Sequence, residues 1–339
     1  MKFEPIYFER NRVRRVYTGG KLFHGFFGDE ALDNFMPEEW VASSVKALNK
    51  DPIGDKEGVS KILGSDIYFD ELLNEYPFET LGSARKMRIL VKILDSAVRL
   101  PAQAHPDKDF SRKFFNSEYG KTESWIILDT RPNAKIFFGF KDGVDKQTFE
   151  KAIEKSETNK DAMEELMEYC EPKVGDVFLV PAKTVHAIGA GCLLLEVQEP
   201  TDFTIQPEHW CDEYKLNEHE MYLGLKKEDA VACFNFDETP KAKICPKIVY
   251  DTKGIKIESL INQSNTDCFV INRLTLENAK YSLNVNDGYG VYIVTKGEGK
   301  LYNEEGYFKQ IKKGDYFFMP ACLMGQFSID GNIEVIECY

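Results

Sequence analysis

The sequence lacks several features that would each assign it a class. None of its apolar runs reaches the roughly 18 residues a membrane-crossing helix needs, so no helical span is expected. Residues 1–10 carry no apolar core of the kind that marks a secretory signal. Positive charge is not in excess: 43 Lys and Arg stand against 56 Asp and Glu, a net charge of −13, which argues against a nucleic-acid partner. An acidic total still leaves room for a few local cations to hold one phosphate. Cys-x-x-Cys is absent, and the eight cysteines lie scattered, several inside apolar runs such as Cys192-Leu-Leu-Leu. They read as small buried hydrophobes in a reducing compartment, so a cytoplasmic location is expected. Histidine is scarce as well, with five in 339 residues.

What is present is ordinary in bulk and informative in pattern. With 43% hydrophobic and 29% charged residues, the chain is a globular protein long enough for two or three domains. Short strand-like runs dominate: from residue 89 onward, then 123–128, 135–140, 176–180 and 192–198, with turn residues between them. Helical spacing shows at 66–78, where Phe69, Leu72, Leu73 and Tyr76 repeat at three and four. Two further segments, 145–169 and 217–234, are expected to be helical, the second starting near Lys-Lys-Glu-Asp. Short strands return from 248 to the end.

One motif occurs twice. Gly175-Asp176, four apolar residues and Pro181-Ala182 are matched by Gly314-Asp315, four apolar residues and Pro320-Ala321. Each copy predicts a tight Gly-Asp turn, a buried strand and a proline that ends the pairing. Only the first copy is followed by a histidine, His186. The expected architecture is therefore mostly β, with two barrel-like (jelly-roll) domains and a helical insertion. Residues 1–145 and 171–210 would form a metal-binding domain, 146–170 and 211–240 helical segments, and 241–339 a domain without ligands.

Four polar side chains suggest the site. Gln103 and His105 are two apart and share a face on an extended strand, Glu123 opens a strand, and His186 follows the first repeat. Two imidazoles, a carboxylate and an amide oxygen suit zinc or another divalent first-row ion. His24, His209 and His219 have no partner at ligand spacing, and surface or loop positions are expected for them.

Gly175-x5-Pro181-x4-His186 resembles the second signature of cupin barrels, with Lys183 where that family usually has Gly. The runs Gln103-Ala-His105-Pro106, Gly120-Lys121-Thr-Glu123-Ser-Trp125 and Pro181-Ala-Lys-Thr-Val-His186 resemble, in order, type I mannose-6-phosphate isomerases. Glu38-Glu39-Trp40 is similar to an N-terminal Gly-Glu-x-Trp segment of that family, without the Gly. The iron-dependent cupin oxidoreductases are set apart by Gln103, which occupies the first slot of their His-x-His motif.

The resemblance implies a zinc enzyme that interconverts mannose 6-phosphate and fructose 6-phosphate, a small sugar phosphate being its partner. It implies Gln103, His105, Glu123 and His186 as zinc ligands, Lys121 as an active-site lysine and Glu196 as an acidic active-site residue. Isomerisation through an enediol needs a proton carrier between C1 and C2, and an electrophile for the developing oxyanion. Glu196, in a partly apolar strand, is the candidate carrier; Lys121, two residues before Glu123, could touch a substrate oxygen. One departure stands out: Gln206 falls where the family commonly has an active-site Arg, and an amide carries no fixed charge. That leaves a second reading open, a non-catalytic or altered-specificity sugar-binding protein. Arg85, Lys86 and Lys183 are further candidates for a phosphate, though each is more simply a solvated charge.

Overall fold

The apolar runs of the first half form strands that pair into two antiparallel sheets. A computed structural model describes residues 2–237, 241–284 and 288–339. The strands in chain order are β1 (Arg12–Val13), β2 (Glu38–Val41), β3 (Leu90–Ser96), β4 (Glu123–Thr130), β5 (Ile136–Phe140), β6 (Met167–Cys170), β7 (Val177–Val180), β8 (His186–Ile188) and β9 (Cys192–Gln198). The larger sheet runs β1-β2-β3-β9-β4-β7 and ends at the short strand Lys243–Ile244; the smaller runs β6-β5-β8. A bridge between Gln103 and His186 extends the smaller sheet.

Side chains from both sheets meet in one core. Leu94, Leu194, Trp125 and Phe178 of the larger sheet pack against Ile136, Phe138 and Ile188 of the smaller. The larger sheet's other face is covered too: Val91, Ile93, Leu193, Leu195 and Val197 pack with Leu260, Ile271, Val291, Phe318 and Ile336 from the C-terminal sheet. Burial on both faces explains why β9 opens with four consecutive apolar residues, 192–195, and does not alternate there.

The C-terminal sheet has the order Lys247–Thr252, Ile255–Ile261, Ile271–Ser282, Phe327–Cys338, Gly290–Asn303, Phe308–Lys312, with Tyr316–Met319 paired to Gly290–Asn303. Register shifts at Glu277/Ala279 and Val294/Lys296 act as bulges that bend its long strands around an apolar interior of Leu274, Val294, Phe317 and Val335. The architecture is the expected one: mostly β, with two cupin-like jelly-roll assemblies.

The repeated motif is a repeated structure. Gly175 and Gly314 are both left-handed, with φ of 91° and 89°. Gly175 donates to the Ile127 carbonyl at 2.8 Å, and Gly314 donates to the Val294 carbonyl at 3.0 Å. Asp176 accepts from the Lys173 amide at 3.0 Å, as Asp315 does from Lys312 at 2.8 Å. Each turn then feeds a fully buried four-residue strand.

The helical expectations need correction. Within 145–169 only Lys146–Lys155 is α-helical, capped by the Asp145 carboxylate. Met167–Cys170 is instead a strand on β5, because an open sheet edge offers its backbone partners that local spacing does not reveal. The expected helix at 217–234 is two helices, Glu218–Tyr222 and Lys227–Val231. They are separated where Leu223 and Gly224 take φ of 51° and 77°. At 66–78 the spacing holds for Phe69–Glu75, and Pro77 opens a second short helix, Pro77–Leu81.

Candidate metal centre

Three chain segments carry the expected ligands to one place. The extended segment after Pro101 exchanges backbone hydrogen bonds with β8: Gln103 and His186 donate to each other's carbonyl, both at 2.9 Å. The Lys183 amide donates to the His105 carbonyl at 2.7 Å and pins the next turn. Lys183 has φ 70°, so the position where the cupin signature carries Gly keeps the left-handed backbone that Gly favours. Glu123 begins β4, facing Val180 and Gln198.

Ligand atoms of His105, Glu123 and His186 lie within 4.8 Å of one another, and all three residues are buried. Nε2 of His105 is 3.1 Å from Glu123 Oε2, and Nε2 of His186 is 3.3 Å from Glu123 Oε1. Each imidazole has its Nδ1 2.9 Å from a backbone carbonyl, Phe203 for His105 and Thr184 for His186. Those carbonyls hold the proton on Nδ1 and leave the Nε2 lone pair directed at the carboxylate. Nε2 of His186 is buried and has no hydrogen-bond partner. Burial, with help from the Lys121 ammonium, pushes His105 down to about 3, so it is neutral at physiological pH. Burial works against the Glu123 carboxylate, but that carboxyl is held well below the usual range, the Lys121 ammonium beside it being the largest opposing influence.

Two imidazole Nε2 atoms and an ionised carboxylate thus converge in a buried site. The one proton donor among them is Lys121, whose Nζ lies 2.8 Å from His105 Nε2 and 3.1 Å from Glu123 Oε2. Such a donor set attracts a cation, and the residues fit a divalent metal ion. Gln103 lines the same cavity beside Lys121 and Glu123 and is 7% exposed.

The cavity has a volume of about 400 Å³. Glu196 faces it from β9, directly across the sheet from Lys92 on β3 and Trp125 on β4. Its Oε1 is 3.1 Å from Lys92 Nζ, which also reaches Asp202 at 3.8 Å. Arg15 grips Asp202 with both terminal nitrogens, at 2.9 and 3.1 Å, and donates through Nε to Glu38 at 2.9 Å. Glu38 also accepts from the Trp40 indole at 2.6 Å and the Tyr17 hydroxyl at 2.5 Å. Burial raises the Glu196 carboxyl above its ordinary value, Lys92 only partly opposing it. Glu38 is also buried, yet Arg15 and Lys92 bring it down to about 2.

Arg15, Lys92 and Asp202 were not singled out from sequence. Lys92 had a signal, a lone charge inside the apolar run Ile-Leu-Val-Lys-Ile-Leu; Arg15 and Asp202 had none. Glu38 and Trp40, flagged as a motif, prove to be hydrogen-bonded to each other. His24 and His219 are exposed and His209 bonds Ser156; His219 nonetheless lines the cavity mouth. Arg85, Lys86 and Lys183 lie outside the cavity, whereas Gln206 lines it and donates to the Glu220 carbonyl at 3.2 Å.

The comparisons with known proteins agree with this geometry. No family model matches the chain. It is 32% identical over 253 residues, 73% of each protein, to the mannose-6-phosphate isomerase ManA of Bacillus subtilis. A probable mannose-6-phosphate isomerase of that organism, GmuF, is 26% identical over 332 residues, 97% of each. Among solved structures, a mannose 6-phosphate isomerase from Bacillus subtilis superposes with a TM-score of 0.80 at 23% identity, covering 99% of this chain and 100% of that one. The apo enzyme from Salmonella typhimurium gives 0.73 at 15% identity, covering 100% and 99%. The fold, the buried His-Glu-His group and the identity to a named relative converge: this chain belongs to the mannose-6-phosphate isomerase family.

Proposed function

We propose that the chain is a zinc-dependent isomerase that interconverts mannose 6-phosphate and fructose 6-phosphate. One observation carries the reading: two Nε2 atoms and a carboxylate face one another in a cavity that also holds a buried carboxyl of raised pKa. In this reading His105, Glu123 and His186, with Gln103 as fourth ligand, hold one zinc ion per chain, and residues 1–145 and 171–210 form the metal-binding domain. A bound divalent ion supplies an electrophile for the sugar's carbonyl and hydroxyl oxygens.

The chain's own residues would do the rest. Glu196 sits on the same sheet face as Glu123, one diagonal step away, and accepts the proton from one carbon of the C1–C2 pair and returns it to the other. A raised pKa suits a group that must both take and give a proton near neutrality. Lys92 orients Glu196 from 3.1 Å. Lys121 donates from its ammonium to a sugar oxygen beside the ligands. Walls such as Leu94, Leu100 and Phe115 exclude water from the transfer.

Gln206 removes a charge from the wall but leaves the ligand atoms and Glu196 in place, which favours catalysis over a binding-only role. All eight cysteines are free, in keeping with a cytoplasmic enzyme. The test is direct: protein reconstituted with zinc and given mannose 6-phosphate should form fructose 6-phosphate, and chelation should abolish turnover. A zinc-loaded protein that binds the sugar phosphate without converting it would overturn the reading.

A further inference from the structure

The cavity has cations in depth, but each already has an anion. Arg15 is engaged by Glu38 and Asp202, Lys92 by Glu196 and Asp202, and Lys121 by Glu123. A phosphate dianion placed there would meet carboxylates with no free counter-charge. The reacting carbons must nevertheless lie in depth, so the phosphate at the sugar's far end must lie toward the mouth.

Lys50 stands at that mouth. It is exposed, lines the cavity, and makes no ion pair among the described residues. Its segment is fixed to the site from below: the Leu48 amide donates to Asp202 Oδ2 at 2.8 Å, and Asn49 Oδ1 accepts from Arg15 at 3.1 Å. The mouth's carboxylate Glu220 is committed elsewhere, accepting from the Tyr214 hydroxyl at 2.8 Å and the Asn217 amide at 3.0 Å. Asp51 follows Lys50 in the chain and forms no ion pair with it among the described residues. Gln206 and His219 share the mouth.

We infer that Lys50 binds the phosphate of the sugar phosphate and sets the preference for phosphorylated over free sugars. The ligand's identity rests on the isomerase reading; the anion site itself does not. The Leu48 backbone amide and the Asn49 side chain, tied to the network that holds Glu196, place the ammonium relative to the reacting end of the cavity.

The experiment compares wild type with K50A and K50R in the zinc-loaded protein. K50A should raise KM for mannose 6-phosphate by roughly tenfold, the loss falling on KM and not on kcat, and K50R should recover most of it. Added salt should raise the wild-type KM and affect K50A less. Inorganic phosphate binding, followed by titration without turnover, should weaken by a similar factor in K50A. Unchanged KM and unchanged phosphate binding in K50A would overturn the inference while leaving the isomerase reading intact. Lys50-dependent phosphate binding in a wild-type protein that fails to convert mannose 6-phosphate would overturn that reading and support the anion site. Wild-type protein that neither converts the sugar nor binds phosphate would overturn both.

Discussion

Glu196 and Glu38 are both fully enclosed carboxyls, and their neighbours drive them apart. Glu38 has three donors, Arg15, Tyr17 and Trp40, so its charge is stabilised. Glu196 has only the Lys92 ammonium, 3.1 Å from an Oε1 that makes no hydrogen bond, so burial dominates and its proton is held more tightly. Glu196→Gln should therefore keep its metal content and lose about 10²- to 10⁴-fold in turnover, measured by metal analysis beside the kinetic assay. Glu38 makes a prediction about stability. Its folded pKa of about 2 lies below its ordinary 4.5, so the stabilisation is present at neutral pH and is lost as pH falls through that interval. Glu38→Gln should lower stability at pH 7 and flatten the fall in denaturant midpoint between those two values. A midpoint that falls as steeply in the variant would contradict this.

The two jelly-roll assemblies carry the same framework with different contents at the level of elements. Trp125 pairs across the sheet with Phe178 and Glu196, and Tyr292 pairs likewise with Phe317 and Glu337. Lys92 opposite Glu196 is matched by Asn272 opposite Glu337, and Glu123 opposite Val180 by Gly290 opposite Met319. Glu337 is thus the C-terminal counterpart of Glu196, but Tyr292 and Asn272 satisfy its two oxygens at 2.9 and 3.0 Å, making it a structural carboxyl. The two Gly-Asp turns differ in their surroundings. A Cβ on Gly175 would meet nothing within 4 Å, whereas one on Gly314 would lie 2.5 Å from the Phe26 carbonyl. Gly175→Ala should cost about 1–2 kcal/mol for the left-handed backbone alone, and Gly314→Ala distinctly more, as read from chemical denaturation. Equal costs would contradict the close approach.

This duplication was legible because Gly, Asp and Pro at fixed offsets dictate local geometry whatever surrounds them. The cluster of His105, Glu123 and His186 was legible because β4, β8 and the segment after Pro101 are short local patterns with a polar residue at a set position. The helix at 145–169 was misread because it stops at Lys155 and its last residues, from Met167, are claimed by a sheet edge formed elsewhere. The ion network escaped for a related reason: Arg15 and Asp202 are 187 residues apart, and nothing near either residue announces the other. Lys50 likewise lies in a run, Ala-Leu-Asn-Lys, without a motif, and only the cavity gives it meaning.

At the scale of the whole molecule, one apolar core joins the two β assemblies. Phe318, fully buried, meets Phe69 edge-on and stacks on Tyr289 in the cluster that also contains Val91, Leu195 and Val197. Neither sheet can leave the other without exposing that surface to water. Phe318→Ala should cost about 3–5 kcal/mol. Calorimetry should show a single transition that moves down as a unit. Two separated transitions would mean the two β assemblies unfold independently.

The measurement that bears most directly on the account is metal stoichiometry in purified wild-type, His105→Ala, Glu123→Ala and His186→Ala proteins after equilibration with zinc, with circular dichroism confirming folding. The account predicts one divalent ion per wild-type chain and loss of most of it, with turnover, in each folded variant. Variants that retain a full complement of zinc would contradict it.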